Sequence, residues 1–109
     1  MAIYHIVAFK LSDPSKLPQL TRDFLTLEKR CARENGKPYI VSVKGGDQIS
    51  TESRDHGMQI VFILEFANKE DLAHYVDEDK AHINFKGSLP GLGVEAAVVM
   101  DFADGTYPK

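Results

Sequence analysis

The sequence predicts an α+β domain with helices on one face of its sheet, and three observations predict it. Stretches of period two, rich in β-branched and aromatic residues, alternate with stretches of period 3.6. They run in the order strand, helix, strand, strand, helix, strand. Asn, Gly and Pro punctuate the junctions. The chain has 109 residues and no linker, repeat or low-complexity tract, so residues 1–109 read as one domain.

The first strand is Ile3 to Lys10, with His5, Val7 and Phe9 on one face and Tyr4, Ile6 and Ala8 on the other. Asp13 and Pro14 are residue types that start helices, and Pro18 offers a later start. Leu20, Phe24, Leu27 and Cys31 form one helical stripe, which places Cys31 within the helix, and Asn35-Gly36 is the expected stop. Tyr39 to Lys44 is the second strand, closed by Gly45-Gly46, and Asp47 to Gly57 is a polar loop. Met58 to Phe66 is apolar on both faces, as a strand buried on two sides requires. Asn68 caps the next helix, whose inward residues are Leu72, Tyr75 and Val76, with His74 pointing outward. Asp77 to Lys80 reads as a solvated break. A short helix carrying Ala81, His82 and Phe85 follows, then a turn at Ser88 to Gly91. Val94 to Phe102 is the last strand, and Ala103 to Lys109 a loose tail.

This βαββαβ order defines a ferredoxin-like four-stranded antiparallel sheet. Its helix-free face would present Val61 and Ile63, with Ala97 and Val99 beside them. Such a patch is unstable in water, and a second sheet packed against it removes the exposure. A homodimer is therefore expected.

The formal net charge is −3, which argues against a nucleic-acid partner. No apolar run reaches the ~18 residues of a membrane span, and the N-terminus lacks a signal-peptide pattern. One cysteine excludes an intrachain disulfide and fits a cytoplasmic setting. No glycine-rich phosphate fingerprint and no complete metal-ligand set appears around His5 and His82, so neither cofactor nor metal is expected.

The residues that could carry chemistry are His5, Tyr75 and His82. Strand periodicity turns His5 toward the helices with Val7 and Phe9, and helix periodicity turns Tyr75 toward the sheet, where His82 could join them. An imidazole beside a phenol suits proton transfer next to a carbonyl. The alternative reading is that all three are packed residues with satisfied polar tips.

The chain resembles the stress-responsive dimeric α/β-barrel (Dabb) family from about Ile3 to Phe102. The marks are His5-Ile6-Val7-Ala8-Phe9-Lys10, Gly57 before the third strand, Phe66 before a helix start, Tyr75 through Ala81-His82-Ile83-Asn84-Phe85, and Val98-Val99-Met100-Asp101-Phe102. The resemblance implies a homodimer with a central barrel. Many members have no assigned activity. The olivetolic acid cyclase type is a cofactor-free lyase that closes a linear polyketide thioester by an intramolecular aldol reaction. By that likeness His82 is the candidate catalytic base and Tyr75 its partner. His5, Val7, Phe9, Phe24, Leu27 and Phe85 would line a pocket for an apolar ligand. Competing readings are a purely structural, stress-linked dimer and a cofactor-free monooxygenase.

Overall fold

A computed structural model describes all residues 1–109. Four strands, β1 (Ile3–Leu11), β2 (Ile40–Asp47), β3 (Ile60–Phe66) and β4 (Val94–Ala103), form one antiparallel sheet in the order β2-β3-β1-β4. Helices α1 (Leu17–Leu25), α2 (Leu27–Arg30), α3 (Lys69–Asp77) and α4 (Lys80–Ser88) cover one face. The ferredoxin-like expectation stands.

Strict alternation builds the core. Ile3, His5, Val7, Phe9 and Leu11 of β1 are buried, as are Ile60, Phe62, Leu64 and Phe66 of β3. The helical stripe meets them: Leu20, Phe24, Leu27 and Cys31 have almost no exposed surface. Phe24 stacks on Phe62 with ring centroids 3.9 Å apart, and Phe9 and Phe85 pack edge-on against Phe24.

Several boundaries differ from expectation. Asp13 caps only a single 3₁₀ turn, Pro14–Lys16, and α1 starts at Leu17 with Pro18 in its first turn. The helical run ends at Arg30 rather than at Asn35-Gly36. Cys31 is its extended C-terminal cap, not a mid-helix residue. A tertiary contact ends it early: the Ala32 N–H donates to the Asp79 carboxylate at 3.1 Å. Gly36 instead serves the turn that pairs Ala32 with Pro38, at φ +79°.

Gly45-Gly46 does not close β2; the strand runs through both. A Cβ at Gly45 would lie 2.6 Å from the Val61 carbonyl oxygen and 2.7 Å from the Phe62 ring. Glycine there permits close strand approach rather than a turn.

The helix-free face needs a second correction. In the β1–β4 register, Val7 pairs with Val99 and Phe9 with Ala97, so Ala97 and Val99 point toward the helices. The opposite face carries Val61 and Ile63, as expected, but with Val98, Met100 and Phe102. Met100 is 57% and Phe102 47% exposed, and Tyr4 stacks on Phe102. The slip arose because β4 is apolar at almost every position, so alternation alone could not orient it.

Candidate functional site

Between β1, β4 and the α3–α4 hairpin lies a cavity of about 330 Å³. Its walls include His5, Val7, Phe9, Phe24, Tyr75, His82 and Phe85. Leu27, the remaining expected liner, is fully buried in the core and does not reach it. The sequence reading missed Val76, Lys86, Leu89, Ala97, Val99 and Asp101. Three of these belong to β4, whose orientation was misread.

Local sequence explains the placement. Asn68 caps α3 by accepting from the Asp71 N–H at 2.8 Å, which sets the turn that carries Tyr75 inward. Asp79 separates α3 from α4. It caps α4 through bonds from the Ala81 and His82 N–H groups, at 2.9 and 3.4 Å. Its other oxygen accepts from the Tyr39 hydroxyl at 2.7 Å and from Ala32 N–H. Asp79 is 3% exposed, so this segment is a buried anchor and not the solvated break expected from three consecutive acids. His74, expected to point outward, is also buried; its Nε2 donates to the Ala32 carbonyl at 3.1 Å.

His82 stacks on Tyr75 with centroids 3.8 Å apart and an interplanar angle of 17°. His82 Nδ1 lies 2.7 Å from the Tyr75 carbonyl oxygen. A carbonyl only accepts, so Nδ1 carries the proton, and the lone pair of the neutral ring is on Nε2. Burial lowers the His82 pKa to about 4, helped by nearby Lys86 and His5 and opposed by the Tyr75 carbonyl bond. The ring is therefore neutral at pH 7.

Tyr75 is fully buried, and its hydroxyl has no hydrogen-bond partner within the protein. Burial pushes its pKa well above the usual phenol range, so it is a donor and not a phenolate at pH 7. His5 meets Tyr75 edge-on at 5.5 Å, and its Nδ1 lies 2.5 Å from Asp101 Oδ1. The carboxylate fixes Nδ1 as the donor and leaves Nε2 as the acceptor of the neutral ring. Cys31 lies outside this group, its thiol pushed up to about 12 by burial and then by Asp79, so it is not a thiolate nucleophile.

The pH dependence of stability follows from His82. Unfolded imidazole titrates near 6.5 and the folded ring near 4. Between these values the unfolded state binds more protons, so the contribution is full above pH 6.5 and is lost as pH falls toward 4. Discounted for water reaching the ring through the cavity, it is on the order of 2 kcal/mol. Urea unfolding at pH 7 and pH 4.5 should show the loss in the wild type, and His82→Phe should shrink the difference.

Fold and cavity together define a ferredoxin-like α/β protein with a mostly apolar pocket fitted with two imidazoles, a phenol and a carboxylate. The chain belongs to the stress responsive A/B barrel domain (Dabb) family, whose model matches residues 3–104. Among solved structures it is similar to a protein of Arabidopsis thaliana, at 21% identity and TM-score 0.77, covering 98% of this chain and 99% of that one. It is similar to a hydroxynitrile lyase from Passiflora edulis, at 18% identity and TM-score 0.75, covering 98% and 97%. A dimeric ferredoxin-like protein of unknown function from Jannaschia sp. matches at 17% identity and TM-score 0.74, covering 94% and 99%. No curated protein matches the chain by sequence. No helix is long and apolar enough to cross a membrane.

Proposed function

We propose that the chain is a homodimeric Dabb protein that binds a small carbonyl compound with an apolar tail and catalyses cofactor-free proton transfer on it. Polyketide-cyclase chemistry is the reaction the side chains suit best. The observation that carries this reading is the buried, unpartnered hydroxyl of Tyr75, a residue that lines the cavity. Leaving a buried hydroxyl unpaired costs roughly 1–3 kcal/mol, and a ligand oxygen accepting from it recovers that cost.

His82 Nε2 would take a proton from the carbon between two carbonyls of the ligand. The electron pair moves onto a carbonyl oxygen, and the Tyr75 hydroxyl donates to that oxygen as it gains charge. The enolate carbon then attacks a third, more distant carbonyl of the same molecule and forms the C–C bond, and that carbonyl's π pair becomes the alkoxide. The new alkoxide takes the proton back from His82. A base with a pKa near 4 is weak. It therefore calls for a doubly activated carbon, as in a β-polyketone, rather than a simple ketone. Phe9, Phe24 and Phe85 supply the wall for the alkyl tail, and His5, held by Asp101, would offer Nε2 as an acceptor to an enol or hydroxyl hydrogen of the ligand.

Pairing through the helix-free face is part of the proposal. Val61, Ile63, Val98, Met100 and Phe102 form the patch, and the similar Jannaschia protein is dimeric. A cytoplasmic setting fits the single buried thiol.

Turnover of a linear alkyl β-polyketone thioester, followed by NMR of the cyclised product, tests the reaction. The expected result is ring closure by the wild type, with His82→Ala lowering the rate by ~10²–10⁴. Tyr75→Phe should lower it by ~10² while leaving thermal stability unchanged or slightly raised, because the orphan hydroxyl is gone. Equal rates in all three proteins would remove the catalytic assignment. A wild type that neither binds nor turns over the probe favours the structural dimer.

A further inference from the structure

A second cluster lies outside the cavity, where the C-terminal end of α3 meets the segment after α2. We propose that Glu34, His74 and Glu78 bind a divalent transition metal of the zinc class. One ligand atom from each lies within 4.8 Å of the other two. His74 Nδ1 is 3.3 Å from Glu78 Oε2 and 3.8 Å from Glu34 Oε1. Donors around a tetrahedral zinc, bound at ~2.0–2.2 Å, stand about 3.4 Å apart, so small movements of two exposed glutamates complete the set.

The imidazole is buried and held in one orientation. Its side chain is only 10% exposed, and Nε2 donates to the Ala32 carbonyl at 3.1 Å. Asp79 Oδ2, 3.8 Å from the same nitrogen, favours the same tautomer. Nδ1 faces the Glu78 and Glu34 carboxylates, so one imidazole nitrogen and two carboxylate oxygens, all atom types that ligate zinc, converge on one point. A carbonyl holding the far N–H is also the usual outer support of a metal-bound histidine.

The surrounding charges fit a third-ligand role for Glu34. Arg33 spends its NH1 on Asp71 at 2.6 Å, and its Nε stands 3.5 Å from Glu34 Oε2, leaving Oε1 toward His74. Arg30 and Lys80 line the same open recess of about 440 Å³, and water can fill the remaining coordination position. His74 and Glu78 have i,i+4 spacing at the end of α3, and Glu34 comes from across the recess, so the metal would tie the two segments together.

Calorimetric titration of the metal-free full-length protein with Zn²⁺ at pH 7.5, with Mg²⁺ as the control, tests the site. The expected result is one Zn²⁺ per chain and a raised Tm, with no response to Mg²⁺. Glu34→Gln and Glu78→Gln, both exposed and compatible with folding, should each weaken binding at least tenfold, and the double variant should abolish it. Absence of binding at millimolar Zn²⁺ would overturn the proposal. So would Zn²⁺ binding that survives the double variant.

Discussion

Met100→Asp is expected to convert the proposed dimer to a monomer. Met100 sits at the middle of the apolar face on β4, between Val98 and Phe102, and pairs with Ile6 in the sheet. In a two-fold pairing each protomer would bring one aspartate into the same interface. Burying an unpaired carboxylate costs several kcal/mol, so the dissociation constant should rise by at least about a hundredfold. Sedimentation velocity at micromolar concentration reads the change. The same substitution on the cavity face would act differently. Val99→Asp lies beside His5 and Asp101, and should impair ligand binding while leaving the dimer intact. A dimer that survives Met100→Asp and dissociates on Val99→Asp would reverse the assignment of the two faces.

Asp79→Ala is the expected largest loss of stability. One buried carboxylate joins three elements: the Ala32 N–H after α2, the Tyr39 hydroxyl before β2, and the first turn of α4. Truncation leaves these donors unsatisfied in a dry environment, and the α4 cap is lost as well. About 3 kcal/mol is expected, a fall in Tm on the order of 10 °C. Asp79→Asn should fall between, since an amide keeps one acceptor oxygen. The α4 cap also sets the position of His82, so Asp79→Ala should weaken ligand binding even at temperatures where it stays folded. A Tm within about 2 °C of wild type by calorimetry, roughly the ±0.5 kcal/mol of an ordinary surface change, would contradict the anchor.

How much of this was legible depended on period and burial. The alternating pattern of β1 gave the faces of His5, Val7 and Phe9 correctly, and the stripe of Leu20, Phe24 and Leu27 gave the helical contribution to the core. Asn68 as a cap and the break before His82 were also readable, because local hydrogen bonding decides them. β4 was not readable to that level. Its apolar residues occupy both faces, one lining the cavity and one the free face, so its register is visible only once paired with β1. Asp101, the partner of His5, is therefore not legible in the sequence, although it lies in the closing strand. Asp79 and His74 were missed for a different reason. Their burial arises from the segment that follows Arg30, through Ala32, a contact between residues over 40 positions apart that no local pattern reports.

The central claim is that the cavity holds a carbonyl ligand against Tyr75 and His82. The most direct measurement is ¹⁵N NMR of histidine-labelled protein at pH 7, titrated with an alkyl β-diketone. The expected result is a saturable shift at His82 Nε2, with the Nδ1 proton retained toward Tyr75, and at least tenfold weaker binding in Tyr75→Phe. Saturable binding that leaves the His82 and His5 signals unmoved, or no binding at all, would contradict it.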